Sequence, residues 1–359
     1  MTMQPVESPQ SENPEADGAL MDIRDLEVHF FARKGLFQRV TIKAVNGVSL
    51  SLRRGETVAV VGESGSGKTT MGRASLCLVK PVAGTITFDG RDVTGLGEGK
   101  LKGFRRRAQV VFQDPYSSIN PYMTVSQIVQ EPLVVHGVGE RSERQDRARQ
   151  ALEDVRLSPA DVIMAKYPHA LSGGQRQRVG IARTLVLEPD YIVADEPVSM
   201  IDASSRAEIL YLMQELQKAY DITFLYITHD IASARHFSDR IAVMYLGSIV
   251  EQGPSASVVG APKHPYTQAL IEAVPEPDPT NRLRERQVIS GEPPSPASMP
   301  SGCSFHPRCP KFMPGLCNEQ KPELKAVAPG HVVACFLYGE TGRDYKSVPQ
   351  PETEASPAV

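Results

Sequence analysis

Short apolar runs that end in glycine or in acidic residues recur along the 359-residue chain, with helix-type periodicity between them. ETVAVVGE (56–63), DYIVADEP (190–197), ITFLYITHD (222–230) and RIAVMYLG (240–247) are too short and too uniformly apolar for amphipathic helices. They read as strands buried on both faces, the pattern of a parallel sheet covered by helices. A helix is predicted to open at Lys68, directly after the first run. SERQDRARQALEDVRL (142–157) places Ala148, Ala151, Leu152 and Val155 on one helical face. No strand-like run occurs between about 123 and 185, so a mostly helical insert is expected at about 114–185 of an α/β domain spanning 21–275.

The ends have a different character. Residues 1–20, rich in Pro, Glu and Ser, cannot bury apolar surface and are expected to be disordered, as is the tail 341–359. Prolines cluster at 275–300, and that linker composition is expected to set apart a small cysteine-containing extension within 276–340. The net charge of −3 gives no reason to expect a nucleic-acid partner, and Arg105-Arg106-Arg107 reads as a solvated face or turn. No window approaches 18 uninterrupted apolar residues, and the N-terminus has neither a basic start nor an apolar core. A soluble cytosolic chain is expected, in which five cysteines form no disulfide framework.

GESGSGKTT (62–70) sits between a predicted strand and a predicted helix, the context a phosphate-binding loop requires. Gly62, Gly65 and Gly67, with Ser64 and Ser66 between them, let successive N–H groups face phosphate oxygens at a helix N-terminus. Lys68 is expected to reach the β and γ phosphates, Thr69 to offer its hydroxyl to Mg²⁺, and Thr70 to contact the α phosphate. The run YIVADE (191–196) ends in Asp195, a candidate for the Mg²⁺ shell, and Glu196, a candidate to polarise the attacking water. His229 ends another strand at the same sheet edge, where ligands bind in open α/β folds. A second glycine cradle, LSGGQRQR (171–178), stands about a hundred residues after the first.

GESGSGKTT, Gln113 in VVFQDP, LSGGQRQR, YIVADEP, SMID and THD occur in that order, and together they resemble the nucleotide-binding subunit of an ATP-binding-cassette (ABC) transporter over residues 22–275. The resemblance implies a P-loop NTPase cassette with a RecA-like core sheet and a helical subdomain. It also implies that the LSGGQ cradle, Ser172, Gly173, Gly174 and Gln175, closes on the ATP of a second ABC subunit in a head-to-tail dimer. It makes Glu196 the catalytic carboxylate, His229 the γ-phosphate switch, Gln113 a Mg²⁺-sensing residue, Asp202 the D-loop aspartate, and Phe30, with Phe31 beside it, the aromatic that stacks on adenine. KHPYTQALIEAVPEPDP (263–279) and the cysteine segment (302–335) are similar to the C-terminal extension of oligopeptide/dipeptide importer ATPases. Importers of nickel and of oligosaccharides share these stretches. The implied function is an ATP-hydrolysing motor, peripheral on the cytoplasmic face of the membrane. Its implied partners are two transmembrane permease subunits and, indirectly, an extracytoplasmic solute-binding protein.

Cys303, Cys309, Cys317 and Cys335 could hold an iron-sulfur cluster or a tetrahedral zinc, or remain four reduced thiols. The absence of paired C-x₂-C knuckles lowers zinc, His306 and His331 are alternative ligands, and the resemblance favours [4Fe–4S]. Cys77 is expected to be packed on a buried helix. Two other readings fit parts of the chain. One is an ABC ATPase acting on nucleic acid or ribosomes, which would usually carry two cassettes or a basic arm; the other is an iron-sulfur redox sensor with an ATPase core.

Overall fold

The computed structural model describes residues 18–34, 38–274 and 291–338. Most of the N-terminal tail, the tail from 341 and linker positions 275–290 lie outside them. Strands β1 (Ala19–Lys34) and β2 (Gln38–Arg53) pair antiparallel. The chain then runs through β3 (Thr57–Val61) and a glycine-rich loop into α1 (Lys68–Ser75). It returns as β4 (Ala83–Phe88) and β5 (Arg91–Asp92), completing a four-stranded sheet in the order β2-β1-β4-β5. Helix α2 (Glu98–Arg107) carries the three arginines in its last turn and leads into β6 (Ala108–Val111).

Four helices follow: α3 (Val125–His136), α4 (Arg141–Asp154), α5 (Ala160–Met164) and α6 (Gly173–Leu185). Ala148, Ala151, Leu152 and Val155 are all buried among them, on the face their spacing predicts. The α/β alternation resumes with β7 (Tyr191–Asp195), α7 (Ala203–Tyr220), β8 (Thr223–Thr228), α8 (Ile231–Phe237), β9 (Arg240–Tyr245) and β10 (Ser248–Pro254). Helices α9 (Ser255–Gly260) and α10 (Pro265–Glu272) and the hairpin β11 (Lys325–Ala328) and β12 (His331–Val333) complete the described chain.

The second sheet has eight strands in the order β11-β12-β10-β9-β3-β8-β7-β6. From β9 through β6 the neighbours are parallel, as expected of strands buried on both faces. The consecutive strands β3, β8 and β7 are buried at every position. Their carboxyl ends therefore open onto one edge.

The cysteine-containing extension does not stand apart behind its linker. β12 pairs with β10 and so continues the main sheet. Phe305 packs in the main core, its ring 5.3 Å from that of Tyr245 and 5.4 Å from that of Tyr266. A segment with so few apolar residues cannot close a core alone, and borrowing one is the available solution. The join includes Glu251, which is 0 % exposed. Its carboxylate accepts from the backbone N–H groups of Lys263 and His264 (both 2.8 Å) and from His331 Nε2 (2.8 Å). Burial pushes the pKa of His264 down to about 3, which leaves its neutral ring free to accept at Nδ1 from the Tyr266 N–H. Glu251→Ala strands two buried N–H groups and a histidine, and is expected to cost about 3–5 kcal/mol. An unchanged denaturation midpoint in urea would contradict this assignment.

Candidate active site

The phosphate-binding loop leaves the carboxyl end of β3 and enters α1 at Gly67, whose φ is 102°. A Cβ there would stand 2.1 Å from the carbonyl oxygen of Ala44, so the loop can pass under β2 only with glycine. Lys68 is buried, and its ammonium donates to the carbonyls of Gly62 (2.7 Å) and Glu63 (2.8 Å). Burial lowers its pKa, and the nearby carboxylates of Glu196, Asp195 and Glu63 oppose that shift. Thr69 Oγ1 donates to Asp195 Oδ1 at 2.9 Å. Burial raises the Asp195 pKa, with the Thr69 hydrogen bond working against it.

Glu196 follows β7 in a left-handed conformation (φ 45°), held by its N–H to the Ile227 carbonyl at 2.9 Å. A non-glycine residue there is strained, and strain of this kind concentrates at functional sites. It turns the carboxylate toward Gln113, whose Nε2 donates to it at 3.0 Å, and toward His229 Nδ1 at 3.3 Å. Gln113, Glu196 and His229 share one pocket with Ser64, Gly65, Gly67, Lys68, Thr69 and Thr70. Its volume is about 590 Å³.

A triphosphate with Mg²⁺ fits these residues. Ser66 Oγ is buried in the loop without a hydrogen-bond partner, an orphan donor of the kind a phosphate oxygen satisfies. Thr69 and Asp195 bring a hydroxyl and a carboxylate together, the pair a P-loop NTPase offers to Mg²⁺, which takes its other ligands from phosphate and water.

Phe30 and Phe31 are separated by the pairing of β1 with β2. Phe30 lies opposite Ile42 and Phe31 opposite Thr41, so the two rings project from opposite faces. Ile42 and Ala44 line the pocket, which puts Phe30 on the pocket's face. It does not itself line the pocket, and its side chain is half-exposed.

No residue of the LSGGQ cradle lines this pocket. Ser172 caps α6 in a reciprocal pair with Gln175: Ser172 Oγ accepts from the Gln175 N–H, and Gln175 Oε1 accepts from the Ser172 N–H. Their side chains thus have a local role. Gly173 and Gly174 have none, since a Cβ on Gly173 meets nothing nearer than 3.9 Å and one on Gly174 only Ser205, at 3.5 Å. Packing within the chain does not demand glycine at either place. Asp202 caps α7, accepting from the Ser205 N–H at 3.0 Å.

The four C-terminal cysteines lie near enough to feel one another's charge. Burial first, and then the other three thiols, push Cys335 up to about 12; burial, Cys303 and Cys317 push Cys309 up to about 11. Among the described residues, however, no group of three or more His, Cys, Asp or Glu side chains is arranged to hold a metal ion. A single zinc therefore has no built site. Neither histidine is a ligand as placed: His331 is committed to Glu251, and His306 Nδ1 to the Cys303 carbonyl at 3.0 Å. Cys77 lies beyond the end of α1 rather than on it, with φ 53° and its thiol 3.5 Å from the Val93 carbonyl.

Sequence reasoning missed two contributors to the site. Pro296, from the segment ahead of the cysteines, lines the pocket. Glu63, inside the loop, receives Arg308 from the extension at 2.9 and 3.2 Å. No local pattern announces either contact.

Residues 45–199 match the family described as ABC transporter, and residues 250–317 match the oligopeptide/dipeptide transporter C-terminal region. The chain is 48% identical over 323 residues to the oligopeptide transport ATP-binding protein AppF of Bacillus subtilis, covering 89% of this chain and 97% of that protein. Among solved structures it is similar to the ATP-binding cassette MJ0796, captured as a dimer bound to ADP and Pi. That likeness has a TM-score of 0.58 and 31% identity, over 66% of this chain and 98% of the other. CbiO1 from Clostridium perfringens, part of a CbiONQ transporter complex, has a TM-score of 0.59 and 28% identity, over 68% of this chain and 92% of its own.

Proposed function

The chain belongs to the oligopeptide/dipeptide type of ABC transporter ATP-binding proteins, and from that premise we infer how its pocket hydrolyses ATP to drive peptide import. The observation that carries the reading is the meeting of Lys68, Thr69, Asp195, Glu196, Gln113 and His229 around one pocket at the carboxyl ends of β3, β7 and β8. Lys68 and the loop N–H groups hold the phosphates. Glu196 orients a water for attack on the γ phosphorus and takes its proton as the bond to ADP breaks, while Gln113 and His229 fix that carboxylate. Thr69 and Asp195 would hold Mg²⁺, which when bound would neutralise charge on the phosphates. Fixed donors and charges supply most of what phosphoryl transfer needs.

The chain works as a dimer of cassettes, which the dimeric relative supports. We propose that its LSGGQ segment completes the partner's site. Packing within their own chain does not demand glycine at 173 or 174, and a helix N-terminus without lysine or metal ligand is only half an anion site. The transmembrane partners are proposed to dock at the groove between β6 and the helices α3 and α6. It is lined by half-exposed Phe112, the chain neighbour of Gln113, and by exposed Val135. That contact makes the protein peripheral on the cytoplasmic membrane face; among the described residues no helix is long and apolar enough to cross a membrane.

The finer reading of the extension is an iron-sulfur cluster on Cys303, Cys309, Cys317 and Cys335. What supports it is the sequence resemblance and four thiols near enough to raise one another's pKa; among the described residues no group of three or more His, Cys, Asp or Glu is arranged to hold a metal ion. Protein prepared anaerobically with iron is expected to be brown, and Cys309→Ser is expected to bleach it. Colourless, iron-free protein would remove the cluster. ATP turnover by the purified transporter complex, stimulated by peptide, is the test of the reading as a whole.

A further inference from the structure

Glu63 is the second residue of the phosphate-binding loop, and it is fixed at three points. Its carbonyl accepts from Lys68 Nζ at 2.8 Å. Its N–H donates to the Tyr266 hydroxyl at 2.8 Å. Its carboxylate accepts both terminal nitrogens of Arg308, at 2.9 and 3.2 Å. The anchors on its N–H and its carboxylate therefore come from beyond β10, on α10 and on the extension. Its carbonyl is held from within the loop, by Lys68 and by the Ser66 N–H at 3.2 Å.

Arg308 is held where it is. Its side chain is 7 % exposed, and among the described residues its Nε has no hydrogen-bond partner and its one other polar contact is the Tyr245 hydroxyl at 3.4 Å. A guanidinium that deeply buried needs a carboxylate, and Glu63 is the one it has. The residue ends a short turn, His306–Arg308, that starts beside Phe305 and finishes at Cys309. Phe305 in turn packs on Tyr245 and Tyr266. The same rings that seat the extension thus carry the two side chains that grip the loop. Pro296, upstream in the same segment, lines the same pocket.

A phosphate loop binds through the directions of its N–H groups, and a loop free to flex loses affinity by ordering on each binding event. We propose that Arg308 is a positioning residue of the nucleotide site: it clamps Glu63, and through it the start of the phosphate-binding loop, so that ATP affinity depends on how the C-terminal extension is seated. The inference rests on the ATPase reading and deepens it. The competing explanation is a staple that merely holds the extension to the core. A staple affects melting and the active fraction, and a clamp affects nucleotide affinity.

Full-length Arg308→Met is expected to raise both the KM for ATP and the Kd for mant-ATP about fivefold or more, with kcat within about twofold. Arg308→Lys, which keeps the charge but not the fork, is expected to fall between wild type and Arg308→Met. Glu63→Gln, which removes the same contact from the loop's side without changing a residue of the extension, should reproduce the affinity loss should Arg308→Met fold poorly. The double variant is expected to be no worse than the weaker single one, because both remove the same contact. Wild-type KM and Kd in both single variants, or losses that multiply in the double, would overturn the clamp. Wild-type protein that binds mant-ATP without hydrolysing ATP would fail the ATPase reading instead, and the binding constants would still decide the clamp.

Discussion

Glu196→Gln is expected to bind ATP as tightly as the wild-type chain and to turn it over roughly a hundred- to ten-thousand-fold more slowly. The amide keeps the size of the carboxylate and can still engage Gln113 and His229, so the pocket is preserved. What it cannot do is take the proton of the attacking water. Removing a group that acts only in the transition state lowers kcat and leaves ground-state binding alone, at a cost of about 3–5 kcal/mol in the barrier. The variant should then accumulate as an ATP-bound dimer, visible by size-exclusion chromatography with light scattering. Turnover within tenfold of wild type would move the catalytic role to another residue.

Gly174→Asp is expected to abolish turnover without touching nucleotide binding to a single chain. Within its own chain the substitution is mild. The new Cβ meets only Ser205 at 3.5 Å, and a carboxylate in the first turn of α6 suits the helix dipole. Opposite a partner's ATP it is severe, since two unit charges about 4 Å apart repel by about 4 kcal/mol even at an effective dielectric constant of 20. Lys68→Ala is expected to do the reverse, weakening nucleotide binding to its own chain. Equal losses of monomer affinity in the two variants would refute the arrangement in trans.

The parts of the candidate site are legible in the sequence because each is local. A strand end, a loop and a helix start fix where Lys68, Glu196 and His229 sit along the chain, and parallel pairing of β3, β7 and β8 brings those ends to one edge. Reading motifs could not choose between Phe30 and Phe31; the register of β1 on β2 puts Phe30 on the pocket's face and Phe31 on the other. The two long strands themselves escaped notice, since bulges between Ile23 and Leu26 and between Val28 and His29 break the alternation that would have marked them. The attachment of the extension is not legible in the sequence for a different reason. It runs through pairs distant in sequence, Arg308 with Glu63 and His331 with Glu251, and through a hairpin with strands too short to show a period. Composition reported the prolines of the linker and nothing of the partner it packs against.

Coupling of this pocket to peptide movement is the core of the account, and uptake measures it directly. Cells lacking the chain's gene would be complemented with wild type or with Glu196→Gln, the other transporter subunits unchanged, and given a labelled oligopeptide, a labelled oligosaccharide and nickel in parallel. Oligopeptide accumulation restored by wild type alone, with oligosaccharide and nickel uptake unaffected by either, is the result predicted. Peptide accumulation at the wild-type rate with Glu196→Gln, or restoration of oligosaccharide or nickel uptake in place of peptide, would contradict it.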